Sequence, residues 1–150
     1  MKRSESVIVE AAVDRSFLVL SDLKNYEDWL DFVESVEPLE SVTNSVWMIV
    51  LKAQLGPFSR MKKLRMVRVE SSPNTSIKFQ RVEISGKDAS DWVIEVTFKQ
   101  VSSDSSEITF AVSYSGKLWS RALETAFDTY IEKARFDLQS YFVSLQDSGE

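Results

Sequence analysis

Residues 118–145, LWSRALETAFDTYIEKARFDLQSYFVSL, decide how the rest of the chain must be arranged. Trp119, Ala122, Leu123, Ala126, Phe127, Tyr130, Ile131, Ala134, Leu138, Tyr141, Phe142 and Leu145 recur at three- and four-residue steps, the spacing of one face of an α-helix. No proline or glycine interrupts the run, and at about 1.5 Å per residue it extends roughly 40 Å, enough to cross a whole sheet. A one-sided helix of that length needs an apolar surface to lie on.

The preceding sequence supplies such a surface. Strand candidates fall at 36–41, 45–54, 60–71, 76–85, 90–101 and 106–115. The last five are separated by the turn-forming Gly56-Pro57, Ser72-Pro73-Asn74, Ser85-Gly86-Lys87-Asp88 and Ser102-Ser103-Asp104. Such short connections imply an antiparallel meander. Trp92, Ile94, Val96 and Phe98 share one face of their strand, as do Ile108, Phe110, Val112 and Tyr114 of theirs, with polar or small residues between, so one face of the sheet is buried and the other wet. Ahead of the meander, residues 5–10 (ESVIVE) read as a first strand. Phe17, Leu18, Leu20 and Leu23 then mark a short helix that Asp14 can cap. Ser21 to Asn25 reads as a break, and Tyr26, Trp29, Leu30 and Val33 as a second short helix.

Composition narrows the functional classes. The 150 residues, 43% apolar and 27% charged, fit one globular domain, 1–150. There is no cysteine and no histidine, which removes disulfides, thiolate metal sites and the commonest general base. No cofactor and no metal are expected. A formal charge of -5 argues against nucleic-acid binding, which draws on phosphate neutralisation. Ser4-Glu5-Ser6 and Glu10 interrupt any apolar export segment, and the longest apolar run, Val46 to Leu51, falls far short of the roughly 20 residues that span a bilayer. A cytoplasmic location is therefore expected.

The order β-α-α-β6-α, the opening Val7-Ile8-Val9-Glu10-Ala11-Ala12, and the series Phe17, Leu20, Ser21-Asp22-Leu23, Tyr26 and Trp29 resemble the START-like (SRPBCC) superfamily. That group includes the birch-pollen allergen group, polyketide cyclases and lipid-transfer domains. The resemblance covers nearly the whole chain and implies an α+β helix-grip fold, in which a curved antiparallel seven-stranded sheet surrounds the C-terminal helix. Leu55-Gly56-Pro57-Phe58, Gly86 and Ser115-Gly116-Lys117-Leu118 are similar to the family of small accessory proteins of carbon monoxide dehydrogenase. Members of that family are associated with membrane attachment or with maturation of another enzyme.

Three sets of residues bear on function. Trp29, Phe32, Trp47, Met66, Phe79, Trp92, Ile94, Phe110, Val112, Leu123, Phe127 and Tyr130 can fill a solid core or line a cavity, since both draw on the same side chains. The resemblance implies a cavity between sheet and helix, and the small Ala122, Ala126 and Ala134 fit one. In the 76–84 strand the alternation slips between Phe79 and Val82. Either a β-bulge sits at Gln80-Arg81, or the strand stays regular and Arg81 turns inward to orient a ligand. Arg60, Lys62, Lys63, Arg65 and Arg68 crowd one strand of an acidic chain. They form a solvated outer face or a docking surface for an anionic membrane or a partner protein. No pair of residues stands at a spacing that marks catalysis. The expected partner is a hydrophobic small molecule such as a lipid, a quinone or a polyketide-like compound. A cyclase or dehydratase, or an accessory protein that docks through its basic strand, are the alternatives.

Overall fold

The computed structural model describes residues 1–39, 45–55, 58–82, 91–116 and 120–147, and of these the side chains of 53–55, 58, 60, 120, 122, 123, 126 and 147 lie outside the description. Seven strands run β1 Lys2–Val9, β2 Val33–Pro38, β3 Val46–Leu55, β4 Phe58–Ser72, β5 Ser76–Arg81, β6 Asp91–Ser102 and β7 Ser105–Ser115. They form one antiparallel sheet in the order β1-β7-β6-β5-β4-β3-β2, curled into a half-barrel, so the meander is continuous and the first strand closes on the last. Helix α1 is Val13–Leu20 and α2 is Ser120–Asp147. Ala134, Leu138 and Phe142 carry α2 into the core, where it packs on β1 and β3.

The alternation in β6 and β7 matches the sequence pattern: Trp92, Val96, Phe98, Ile108 and Tyr114 are buried, with Ile94 and Phe110 packed against them. Pro73 and Asn74 make the β4–β5 turn, with Asn74 at φ 60° and Thr75 N–H bonded to the Ser72 carbonyl at 3.0 Å. A proline followed by a residue of positive φ is the type II arrangement.

The region between β1 and β2 differs from the sequence expectation. Ala12, not Asp14, stands at the N-cap of α1 and makes no side-chain cap bond; Asp14 lies in the first turn, where its charge suits the helix dipole. The break is confined to Ser21 and Asp22. Ser21 closes α1 by donating its N–H (3.0 Å) and its hydroxyl (2.7 Å) to the Phe17 carbonyl. Asp22 then accepts from the Lys24 N–H at 3.0 Å and opens a 3-10 helix, Leu23–Asp28. The second helix is thus six residues of 3-10 geometry, and Val33 begins β2. Leu23, Tyr26 and Trp29 recur at steps of three, which suits a helix of 3.0 residues per turn, and all three are buried.

The alternation slip read between Phe79 and Val82 is not a bulge, since Val82 is an exposed apolar residue just past the end of β5. β5 stays regular to Arg81, which pairs with Met66, and the irregularity falls in the partner strand β4 between Arg68 and Glu70. No bulge sits at Gln80-Arg81. The far end of the predicted strand, residues 83–85, lies outside the described residues.

Candidate functional site

Two regions of the concave face behave differently. Beneath α1 and the 3-10 helix, polar groups are matched. Trp47 is fully buried and its indole donates to Asp22 Oδ1 at 3.1 Å. The Arg68 guanidinium lies 5.9 Å from the Trp47 ring centroid and donates to the Ser21 carbonyl at 2.8 Å, placing a cation at the C-terminal end of α1. The Tyr26 hydroxyl donates to the Leu20 carbonyl at 2.9 Å, and burial pushes its pKa far above the usual phenol range. Ser106 donates to the Ala11 carbonyl or to the Ser16 hydroxyl, each at 2.9 Å.

Glu27 of the 3-10 helix is likewise structural. Glu27 accepts the Val36 N–H at 2.8 Å while Lys24, paired with Glu27, donates to the Val36 carbonyl at 3.0 Å. The pair grips both backbone groups of one residue on the edge strand β2. The bonded Lys24 ammonium holds the Glu27 carboxyl below its ordinary value, with burial opposing and the Val36 N–H assisting.

Further along the same face, between the sheet and α2, lies a cavity of about 100 Å³. Met66, Trp92, Ile94, Phe110 and Val112 line it from the sheet; Phe127 and Tyr130 line it from α2; Trp29 and Phe32 close it from the segment between α1 and β2. The wall is almost wholly apolar. Trp29 packs on Phe110 with ring centroids 5.6 Å apart, and Trp92 on Tyr114 at 4.6 Å. Phe32 meets Phe127 at 5.7 Å, which ties the closing segment to the helix. Lys133 adds an ion pair to Asp31 at 2.9 Å. At the rim Arg3, Glu5 and Arg135 bring in charge, and Arg3 reaches Asp128 of α2 at 2.8 Å. Exposed pairs of this kind contribute about 0–1 kcal/mol, so they guide the helix without locking it.

Three candidates read from the sequence do not line the cavity. Trp47 and Phe79 meet edge to face, with ring centroids 5.8 Å apart, in the fully buried core. Arg81 keeps the strand register of Ile77 and Phe79 and is half-buried, but it is not part of the wall. Leu123 falls among the side chains that are not described. The wall also includes Leu23, Tyr26, Val36, Ile49, Leu51 and Leu64, which are absent from the sequence-based candidate set. Ile49 and Leu51 continue the period-two row of Trp47, and that row is the signal that points to them. Arg3 and Glu5 sit in phase with the buried Val7 and Val9, which marks them as inward-turned charges.

The basic strand does not form one surface. In β4 the exposed Lys63 and the half-buried Arg65 alternate with buried Leu64 and Met66, while Lys62 and Arg68 share the register of that inner pair. Arg68 is committed to Ser21 and Trp47, which removes it from any docking face. The Arg60 side chain is outside the description. Among the described residues no helix is long and apolar enough to cross a membrane, and no cluster of acidic side chains is placed to hold a metal.

A sequence profile of the family described as polyketide cyclase / dehydrase and lipid transport matches residues 9–139. A search of curated proteins finds no match. Among solved structures, the chain resembles a START superfamily protein of Mycobacterium smegmatis, with a TM-score of 0.75 at 14% identity, covering 96% of this chain and 98% of that one. A conserved protein of Geobacillus kaustophilus aligns with a TM-score of 0.72 at 11% identity, over 96% of each chain. The Zhui aromatase/cyclase from a Streptomyces species aligns with a TM-score of 0.68 at 14% identity, over 94% of this chain and 92% of that one. At these identities the likeness is one of fold, and that fold is the START-like helix-grip arrangement that the sequence resembles.

Proposed function

Because the chain belongs to the polyketide cyclase / dehydrase and lipid transport family, we propose that it binds a hydrophobic small molecule in the cavity between its sheet and α2. The observation that carries this reading is the cavity itself, an apolar space of about 100 Å³ kept open between packed elements. Protein interiors are close-packed, and an unfilled space forfeits contacts on every wall that surrounds it. The affinity would come from apolar burial, at about 25 cal/mol per Å² removed from water. Trp29, Phe32, Met66, Ile94, Phe110, Val112, Phe127 and Tyr130 would supply the contact surface, with Trp92 at the end of the wall.

The size of the cavity sets a limit. An engineered apolar cavity of about 150 Å³ accepts benzene, whereas drug-sized ligands occupy roughly 300–1,000 Å³. At about two-thirds of the benzene-binding volume, the closed form reaches at most the scale of a single small ring, and even that guest requires the wall to yield. A lipid or fused-ring compound would require α2 to move away from the sheet. The contacts that would yield are Phe32 with Phe127 and the exposed ion pairs at Arg3 and Lys133.

The geometry favours binding over acid–base chemistry. The ionisable side chains of the wall are Arg3, Glu5 and Arg135 at the rim, Tyr26, kept neutral by burial with its hydroxyl already donating to Leu20, and the single phenol of Tyr130 on α2. A thermal-unfolding titration with methylenecyclohexane, a single apolar ring, tests the reading. Saturation at 100 times Kd should add about 2.7 kcal/mol to stability. No shift with this ring or with benzene would overturn it.

A further inference from the structure

The two edges of the sheet are finished differently. At the β2 edge both backbone groups of Val36 are held by side chains, the N–H by Glu27 and the carbonyl by Lys24. At the β1 edge the corresponding groups are open over most of the strand. Met1 donates to the Tyr114 carbonyl at 2.8 Å and accepts the Tyr114 N–H at 2.9 Å, and β1 then pairs with β7 without a shift, from Lys2 opposite Ser113 to Val9 opposite Ser106. Bonded residues alternate in an antiparallel pair, so Arg3, Glu5, Val7 and Val9 spend their backbone groups on β7, while Lys2, Ser4, Ser6 and Ile8 turn theirs outward. Among the described residues, α2 bonds to this edge only at its far end, where Gln139 donates to the Ile8 carbonyl at 3.0 Å and Gln146 to the Glu10 carbonyl. Lys2, Ser4 and Ser6 are exposed, and their outward N–H and C=O groups meet no described partner. Such a row is a template for another strand.

We propose that β1 is an interface for a second copy of this chain, the two β1 strands pairing antiparallel about a two-fold axis at Ser4. Outward-bonding residues must meet outward-bonding residues, so the axis has to fall on a residue. With the axis on Ser4, Met1 faces Val7, Lys2 faces Ser6 and Arg3 faces Glu5, each on both sides of the axis. With the axis on Lys2, Arg3 or Glu5, a charge faces its own copy. An axis on Glu5 or Ser6 also calls on the Ile8 carbonyl, which Gln139 already holds. Arg3 and Glu5 would form a non-hydrogen-bonded pair, the kind whose side chains approach most closely, and opposite charges there stabilise the pairing. Arg3 reaches Asp128 at 2.8 Å, but that pair is exposed and a guanidinium carries five donors, enough for a second carboxylate. Charged residues also guard free edges. A guard of one sign repels its copy in every register, whereas Arg3 and Glu5 are opposite charges two residues apart and complement each other about the axis. Both stand at the cavity rim, so pairing brings the charges of a second copy to that rim. Self-pairing does not depend on what the cavity holds.

Sedimentation equilibrium of the full chain tests the pairing. One strand per copy falls below the standard interface of about 1,600 Å², so the wild type should be a weak dimer that dissociates on dilution. R3E sets acid against acid on both sides of the axis and E5R sets base against base, so each should weaken dimerisation about tenfold or more. An equimolar mixture of R3E and E5R sets acid against base again on both sides, and should recover the wild-type dissociation constant to within about threefold. Loss of the Arg3 pair with Asp128 is not repaired by mixing, so recovery separates pairing between copies from a role within one copy. S4P removes the N–H on the axis without touching a bond to β7, and should abolish the dimer while the monomer keeps its circular dichroism spectrum. A wild type that remains a monomer up to about 1 mM overturns self-pairing and leaves the edge to a strand of another protein. A dimer that R3E and E5R leave as tight as the wild type, or that their mixture fails to restore, makes its contact elsewhere and overturns it as well.

Discussion

The two regions of the concave face share one sheet and similar side chains, yet they treat polar groups in opposite ways. Where α1 meets the 3-10 helix, the indole of Trp47 and the guanidinium of Arg68 each have a partner within 3.1 Å, as does the phenol of Tyr26, whose ring borders the cavity. Under α2, the indoles of Trp29 and Trp92 have none, and a cavity lies beside them. The difference is one of local supply. The Ser21-Asp22 break exposes a helix-end carbonyl and a carboxylate to the core, and these are acceptors that donors can meet. The face of α2 toward the sheet offers Phe127, Ile131, Ala134 and Leu138, and a helix interior has no free carbonyl to give. Stability should therefore reside mainly under α1, and adaptability under α2.

Removing the ring at the centre of the matched region is the harshest test. Trp47→Ala should cost about 3–5 kcal/mol, because it opens a void in the core and takes away the ring beneath Arg68. Urea unfolding followed by circular dichroism measures the loss. A cost under 1 kcal/mol would mean that the two regions are equally loose. Arg68→Met sharpens the point. It keeps much of the side-chain bulk but deletes the charged donor to Ser21, and should cost about 1.5–3 kcal/mol. If Arg68 acted only as a surface charge, the change would stay within about 0.5 kcal/mol.

These two residues also show where the sequence is legible. The seven strands and the long helix follow from period-two and period-3.6 patterns, because one face of each is buried over many residues and local pattern then reports global position. The environments of Trp47 and Arg68 escape those patterns for physical reasons. An inward-facing tryptophan in a solid core has the same sequence signature as one on a cavity wall, since only the partner of the indole distinguishes them. Arg68 belongs to a basic run, but the strand period puts it on the side of Leu64 and Met66, and its acceptor at Ser21 is 47 residues away in sequence. The 3-10 helix reads as an ordinary helix because three-residue and four-residue steps overlap across Tyr26, Trp29 and Leu30. The slip between Phe79 and Val82 reads as a bulge because Val82 is apolar; it stands exposed just past a regular β5, and an apolar residue on the wet side has the same sequence signature as a break in alternation.

At the cavity the expected effect is smaller and of opposite sign. Val112→Ile adds one methylene to the wall of a space of about 100 Å³ and should raise stability by about 0.5–1 kcal/mol while weakening small-ring binding. The same added group in a filled core would cost about 1–3 kcal/mol through overpacking. The sign of the change thus reports whether the wall has room, and a destabilisation beyond 1 kcal/mol would indicate that it does not. Paired calorimetry and unfolding curves on the one variant give both readings.

The smallest effect concerns the grip on β2. Glu27 is held below its ordinary value of 4.5 by the bonded Lys24, with the Val36 N–H assisting. The unfolded chain therefore binds a proton at Glu27 at a higher pH than the folded chain does, so stability from this group rises with pH between the two values. The contribution is complete above about 4.5 and is lost as pH falls through the lower folded value. Glu27→Gln should flatten that part of the stability curve and leave the curve unchanged in shape between pH about 5 and 8, where the wild-type carboxyl is ionised in both the folded and the unfolded chain. Denaturation midpoints of the two proteins across the acid limb measure it. Parallel curves would show that the carboxylate exerts no net grip and that β2 is held by its pairing with β3 alone. Because the 3-10 helix carries Glu27 and leads directly into the cavity residue Trp29, a weakened grip in acid should also loosen small-ring binding there, joining the matched region to the open one.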